Sequence, residues 1–428
     1  MGIMSSLCTS VSGLGANGML LSIIGDNIAN ANTTGFKGSR GSFGDILSQT
    51  LGGGTSFQIG RGANLQGVQG MFTQGTIETT ANPLDLAIEG DGFFIVQSPD
   101  GGNFYTRAGQ FSIDKDGNIV NPDGMLLQGY LTQEGGVMGR INVSSINSLP
   151  NPSDQITISA NLNSDDPLPI DPFDVADPVN TSNFSTSISV YDSLGNSHLV
   201  NIYFRKSAEA ATGNSWEWFA VVSAADSESG NTEIQAQGTL TFDTNGALTD
   251  ETVPTYPTGG FDFGGGVTQD QQIAFDFGRS IAEGGSGVTG TTQFGSSNSV
   301  LFQSQNGFSA GSIQSIVVDQ DGIMTGIFSN GQTMEIAKVA LARFIAPTEL
   351  AKMGKNLFGE SAASGVPIVG TAGTSGRGKV MASALESSNV DLADEFVKLI
   401  AAQRGFQANT RVITTTDDLL AELMAIKR

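Results

Sequence analysis

The sequence predicts a mainly β protein with terminal α-helices. It reads as a nested multidomain subunit, with paired N- and C-terminal helices plus two β-rich domains, the outer one inserted in the inner one. Three observations predict this. Leu7, Leu14, Leu21 and Ile28 fall seven apart at one end, with Met4 and Val11 beside them. Leu385, Leu392, Leu399, Phe406, Ile413 and Leu420 fall seven apart at the other. Between them the chain turns to short apolar or alternating runs broken by Gly, Asn and Asp, the pattern of antiparallel strands.

The first helix spans about residues 3–30, although Gly13, Gly15, Gly18 and Gly25 interrupt it. Each glycine costs roughly 0.5–1 kcal/mol relative to Ala, so this helix is expected to form only when packed. Residues 31–75 change to Gly, Ser, Thr, Asn and Gln, including Gly52–Gly54, and read as extended loop. Phe93–Val96, Gln110–Ile113 and Met125–Leu127 begin the strands.

One turn unit recurs: an apolar residue, Asp, two residues, then Gly. It appears at Asp114–Gly117, Asp192–Gly195, Asp243–Gly246 and Asp319–Gly322. The carboxylate caps the turn and Gly takes the left-handed position. A break falls near Asn147–Pro150, and an irregular loop holds Pro167, Pro169, Pro172 and Pro178. Strands return at Thr186–Tyr191, Leu199–Phe204, Trp216–Val222, Ile313–Val318 and Ile336–Ile345.

Residues 366–384 read as loop, and the last helix starts near Ser388, with Asp391 helping to cap it. The resulting division is 1–30 and 388–428 helical, 31–75 and 366–387 connector, 76–148 and 298–365 inner β domain, and 149–297 outer β domain.

Composition excludes several function classes. The 428 residues carry a net charge of −22, with only 14% charged residues and 57 glycines. No basic stripe is present to displace phosphate counterions, so nucleic acid is not an expected partner. An anionic membrane surface is excluded on the same ground. No 18 consecutive apolar residues occur, so no membrane-spanning segment is expected. The N-terminus lacks the basic start of an ordinary signal peptide. A single cysteine, Cys8, allows no intrachain disulfide and is expected to fill a small helical site.

Candidate chemistry reduces to structure. Gly373–Lys379 spells a phosphate-loop pattern, but Val380 stands where Ser or Thr would hold magnesium. It reads as a flexible connector. The Asp-x-x-Gly units place Gly too early for a calcium hand and read as hairpin turns. The one histidine, His198, starts a strand and is expected at the surface. Trp216 and Trp218 share a strand face and read as core rather than as a sugar-binding patch. No catalytic, cofactor or metal residues emerge.

In the C-terminal helix the row beside the apolar one reads Phe396, Gln403, Thr410, Asp417, Met424. A soluble two-helix coil would want both rows apolar. Polar members suit a wall with neighbours on several sides, or one facing a wet channel.

The segments Ser12–Asn17, Asp26–Lys37, Asn82–Phe94, Tyr105–Phe111 and Ala402–Asn409 resemble the signatures of the bacterial flagellar rod-and-hook axial proteins, most closely the hook members. The match covers both ends and the flanking strands. The signature positions are Asn27, Asn30, Asn32, Gly35, Phe36, Arg404, Gly405 and Phe406.

This resemblance implies a structural subunit of the flagellar hook, polymerising into a curved tubular universal joint that transmits motor torque. A distal rod or other axial subunit is the near alternative, and a secreted carbohydrate-binding β protein the distant one. The implied polymerisation residues are Leu7, Val11, Leu14, Leu21, Ile28, Leu392, Phe396, Leu399, Phe406, Ile413 and Leu420. Implied partners are further copies of the chain, the rod, hook-cap and hook–filament junction proteins, and the flagellar type III export apparatus. Export without a cleavable signal peptide and an extracellular location follow. No cofactor, nucleic acid or membrane is implied, and no enzymatic activity. The family's terminal segments typically order on polymerisation.

Overall fold

The computed structural model describes residues 2–46, 49–50, 58–132, 135–144, 146–210 and 213–426. The chain forms two compact units. One comprises Met1–Ile146, Ile313–Ile327 and Thr333–Arg428; the other comprises Asn147–Ser312 and Phe328–Gln332.

The first unit contains both long helices, Gly2–Ala29 and Leu392–Ile426. Asp391 is the cap of the second: its Oδ1 accepts from the N–H of Ala393 at 2.8 Å and of Asp394 at 3.3 Å. That helix begins a few residues later than the expected Ser388, because the cap is Asp391 itself.

The β part is built around the strand Thr333–Arg343. It pairs antiparallel with Ile323–Phe328, Leu126–Leu131, Phe93–Gln97 and Ile368–Thr371. Phe93, Ile95, Tyr105, Ala340, Ala342, Phe344 and Phe358 form a buried cluster over this sheet. Alternate residues of each strand enter it, as the two-residue period requires.

Two loop expectations are corrected. Within 31–75, Ser39–Asp45 pairs antiparallel with Ala63–Gly70. Within 366–387, Lys379–Ala382 pairs with Leu86–Glu89, and Ala384–Glu386 with Ile77–Thr79. Ile368–Thr371 joins the main sheet. These strands are short or rich in Gly, Ser and Gln, so they show no apolar alternation in the sequence, although Val380 and Ala384 are buried. The expected Gly52–Gly54 loop lies outside the described residues.

Gly373–Lys379 is the turn between two of these strands, tied by Gly373 N–H to the Gly378 carbonyl at 2.9 Å. It opens no helix, so it has no helix N-terminus to hold a phosphate.

The turn units fold as expected. In each, Oδ1 of Asp114, Asp192, Asp243 or Asp319 accepts from the backbone N–H groups two and four residues on, at 2.8–2.9 Å. The closing glycines sit at φ of 78°, 85°, 81° and 75°. A fifth copy uses Asn121, whose Oδ1 accepts from Asp123 and Met125 before Gly124 at φ 76°. Hydrogen bonds also hold two of these carboxyls below their usual range, the Asn118 side-chain amide chiefly for Asp114 and the Ala247 N–H chiefly for Asp243.

The second unit carries a five-stranded antiparallel meander from Phe184 to Glu251 and a three-stranded sheet. The three-stranded sheet comprises Gln155–Asn161, Ala274–Asp276 and Ser299–Gln305. Ile188, Val190, Val200, Ile202, Phe204, Trp216 and Trp218 alternate into one core with Ile156, Ile158 and the rings of Phe261, Phe263, Phe275 and Phe277. Both tryptophans are core residues. Ala274–Asp276 was not anticipated, since it lies in the Gly-rich stretch from Gly259 to Gly290, where no strand was expected.

His198 is buried, contrary to the surface expectation. Its Nε2 lies 2.9 Å from Asp192 Oδ2 and its ring stacks on Phe263 at 4.3 Å. Burial pushes the Asp192 carboxyl up, but hydrogen bonds from His198 and Asn196 outweigh it and leave the carboxyl below its usual range.

Candidate functional site

The two long helices pack against each other, and they do so through small and polar residues. The described residues most enclosed there are Ser10, Ile24 and Asn27 of the first helix and Glu395, Ala402 and Thr416 of the second. A Cβ at Gly13 would lie 2.9 Å from Nδ2 of Asn409, and one at Gly405 would lie 2.8 Å from Oδ1 of Asn17. Farther along, Asn27 Nδ2 donates to Glu395 Oε2 at 3.3 Å. Position 13 thus faces 409, 17 faces 405 and 27 faces 395, which makes the pair antiparallel in a single register.

The expected heptad rows flank this contact. Leu7, Leu14, Leu21, Ile28, Leu399, Ile413 and Leu420 are half-buried, whereas Val11, Leu392, Phe396 and Phe406 are exposed. Leu385 lies in a strand before the second helix. Cys8, expected in a packed site, is exposed.

Much apolar surface is therefore uncovered in the single chain. Val397 is 68% exposed, Val11 53% and Ile400 50%. Met4–Ala29 contains an 18-residue window of mean hydropathy 1.5, which by length and composition alone would be apolar enough to cross a bilayer. Uninterrupted apolar runs do not register this, because Gly, Ala and Ser break such runs without lowering hydropathy as charges would.

At the base of the pair the signature residues build a junction. Asn27 is buried, and its amide pairs both backbone groups of Ser39: Nδ2 donates to the carbonyl at 2.9 Å, and Oδ1 accepts the N–H at 2.8 Å. Asn30 ends the helix, its Nδ2 donating to the Asp26 carbonyl at 2.9 Å. Gly35 sits at φ 70°, and a Cβ there would lie 2.5 Å from the Ala108 nitrogen, so only glycine fits. The buried Phe36 ring lies under Lys352, whose Nζ is 5.5 Å from its centroid. Asn32 and Arg404 are exposed.

Behind Gly35, one buried carboxylate holds two cations. Glu386 Oε1 is 2.6 Å from Lys37 Nζ and Oε2 is 3.3 Å from Arg107 Nη1. Carbonyls take further donors, Lys37 Nζ to Thr73 at 2.8 Å and Arg107 Nη2 to Gly90 at 2.7 Å, while Arg107 Nε is buried without a partner among the described residues. Burial pulls Lys37 and Arg107 below their ordinary values, against the opposing pull of Glu386. Asn389 adds a second clamp, accepting from Gly38 N–H at 2.8 Å and donating to the Met71 carbonyl at 2.7 Å.

Sequence reasoning missed Glu386, which stood in what read as connector, and Asn389, which stood at the start of what read as the last helix; their partners lie 279 to 351 residues away. Lys37 and Arg107 had been noted only as members of longer motifs. Among the described residues, no group of three His, Cys, Asp or Glu side chains is placed to hold a metal.

Comparison with known proteins decides the family. The flagellar hook protein FlgE of Salmonella typhimurium (strain LT2) is 34% identical over 430 residues, covering 99% of this chain and 100% of that protein. This chain belongs to the flagellar hook protein FlgE family.

The FlgE of Treponema pallidum is 33% identical over 467 residues, covering all of both chains, and that of Escherichia coli K12 is 33% identical over 426, covering 98% and 99%. Family models match in chain order. The flagella basal body rod protein model covers 7–37 and the hook protein FlgE/F/G D1 domain covers 87–164. The basal body protein FlaE D2 domain covers 161–308, and the basal body rod FlgEFG C-terminal model covers 381–426. A crystal structure of Helicobacter pylori FlgE2 superposes with TM-score 0.46 at 16% identity, covering 72% of this chain and 100% of that one.

As a FlgE-family member the chain is a structural hook protein. That reading is supported over the distal-rod and carbohydrate-binding alternatives. The rod-protein model ends at Lys37, so it takes in the helix together with the junction it enters.

Proposed function

We propose that this chain polymerises through its terminal helices into a curved tube, the universal joint that carries torque from the flagellar motor. The observation that carries this reading is the helix pair itself. It leaves Val11, Met19, Val397, Ile400 and Leu419 facing solvent on a single chain. A stripe of that kind on a soluble protein marks a surface meant for a partner, and further copies are the partners the family suggests.

The half-buried rows at Leu7, Leu14, Leu21, Ile28, Leu399, Ile413 and Leu420, with exposed Leu392, Phe396 and Phe406, supply the inter-subunit contacts. The chain acts mechanically and not as an enzyme. Its other partners are the rod, hook-cap and hook–filament junction proteins, and it reaches an extracellular position through the flagellar type III export apparatus.

The test is a pair of charges on the uncovered face. Val11→Glu combined with Ile400→Glu leaves the intrachain contact untouched. It is expected to abolish tubes in electron micrographs of purified protein while leaving thermal unfolding of the β units unchanged. Tubes of normal yield from this variant would refute the reading.

A further inference from the structure

The pairing between the helices holds one feature that the assembly reading does not use. Gly13-x-x-x-Asn17 on one helix and Gly405-x-x-x-Asn409 on the other are the same motif, met head to tail. Each asparagine donates to the carbonyl of its own helix's glycine, Asn17 Nδ2 to Gly13 at 2.8 Å and Asn409 Nδ2 to Gly405 at 3.0 Å. With the amide fixed in this way, its side chain lies against the glycine of the opposite helix. The result is two reciprocal notches four residues apart, each filled by the other helix.

Not every glycine of the first helix has such a role. A Cβ at Gly15, Gly18 or Gly25 would meet nothing within 4 Å. Close approach therefore concerns Gly13 specifically, and low helix propensity is not the property in use there.

We propose that these two Gly-x-x-x-Asn motifs are the specificity determinant that fixes the antiparallel register of the terminal helices, and that this register decides which apolar residues share a stripe open to the next copy. The physical argument is one of division. Apolar side chains pack with little regard to register, because a slip of one helical turn replaces one leucine contact with another. A notch that accepts only an asparagine tip facing glycine does not tolerate that slip. One turn out of register, Asn17 would face Asn409 or lose its notch. Small and polar residues thus set the alignment within a subunit, and the flanking leucines are left free for contacts between subunits. This inference rests on the assembly reading for its consequence, but the register itself is measurable apart from it.

The experiment exchanges the motif on one helix, then on both. Gly13→Asn with Asn17→Gly keeps the residue content of the first helix while setting Asn against Asn409 and Gly against Gly405. Gly405→Asn with Asn409→Gly does the same from the other side. The four-substitution variant restores complementarity. Register is read by spin labels on Cys8, the sole cysteine, and on an introduced Thr414→Cys, which stands opposite position 8 in this register. Labelled full-length chain is diluted in unlabelled chain so that pairs within one subunit dominate. A slip of one turn displaces the labels by about 6 Å.

One narrow distance is expected in the parent, a shifted or broadened one in each single-helix exchange, and the parental one in the double exchange. Tube yield should fall at least tenfold and return in parallel. Gly15→Ala should change neither reading. An unaltered distance in the single-helix exchanges would overturn the proposal, as would failure of the double exchange to restore it. If the parent formed no tubes, the assembly reading alone would fail, and the same distances read on the free chain would still decide the register.

Discussion

The helix pair and the core of the second unit are built on opposite plans. In the second unit, 23 buried residues form one apolar cluster, and Trp216 and Trp218 are 0% and 1% exposed. Its strands alternate between core and surface apart from a few bulges, and a large apolar core lies within the chain. The helix pair keeps only a few residues enclosed, most of them small or polar, and turns large apolar side chains outward. Burial of apolar surface contributes roughly 25 cal/mol per Å², so the first arrangement is stable alone and the second gains most of its stability from whatever covers it. The difference separates a part of the molecule that is closed on itself from the part to which the proposed function assigns assembly.

The largest effect that would break this comparison is loss of assembly without loss of folding, as expected for Val11→Glu with Ile400→Glu. The converse comes next. Trp218→Ala removes a ring packed 4.4 Å from Phe275 and 5.3 Å from Phe277. A buried tryptophan truncated in this way costs about 3–5 kcal/mol. Urea unfolding of the second unit should shift accordingly, while the label distance between the two helices stays the same. A change in that distance would show that the two plans are not independent.

The junction tests the same division from the other side. Glu386→Ala would leave Lys37 and Arg107 buried without their anion, a loss of about 3–5 kcal/mol for an interrupted buried ion network. Glu386→Gln, which keeps an acceptor for the Gly75 N–H, should lose less. Denaturation followed by circular dichroism would rank the two. Equal stability of Glu386→Ala and the parent would mean that water reaches the cations and the junction is open.

These sites were unequally legible in the sequence. The Asp-x-x-Gly turns could be read because the whole device lies within five residues and its chemistry is local. The alternation in Leu199–Phe204 and Trp216–Val222 was legible for the same reason. The terminal helices were visible as periodicity, but their contact was not. A seven-residue apolar row points to a leucine seam, whereas the residues that meet are Gly13, Asn17, Gly405 and Asn409; Gly13 was read as a glycine interrupting the helix, and the others only within the signature segments.

Ser39–Asp45 was read as loop because a strand of Ser, Arg, Gly, Phe and Asp carries no apolar alternation, and Lys379–Ala382 because four residues are too few to show one. In each case pairing with a partner makes it a strand. His198 was placed at the surface because nothing adjacent in sequence announces Asp226, whose Oδ1 is 3.4 Å from His198 Nδ1, or the ring of Phe263.

The smallest effect concerns charge in the second unit, and its sign can be worked out. Burial pushes the Glu251 carboxyl up to about 7, with Glu283, Asp276 and Asp250 adding to the rise against the opposing Phe277 N–H. In the unfolded chain the same group has its ordinary value of 4.5. Between these two values the folded state holds a proton that the unfolded state has released. Stability of this unit therefore falls as pH rises from about 4.5 to about 7, and stays at its lower level above that. Glu251→Gln supplies a neutral acceptor at every pH and removes the fall. Because the side chain is partly solvated, the gain at pH 8 should be on the order of 1 kcal/mol, about 2–4 °C in melting temperature for a unit of this size, with none at pH 4. A gain at both pH values would indicate that the amide packs better than the acid, and that the crowding of carboxylates is not what the substitution relieves. A pH-dependent gain, with the helix-pair distance unchanged throughout, would place the acidic cost within the self-sufficient half of the comparison and leave the assembling half untouched.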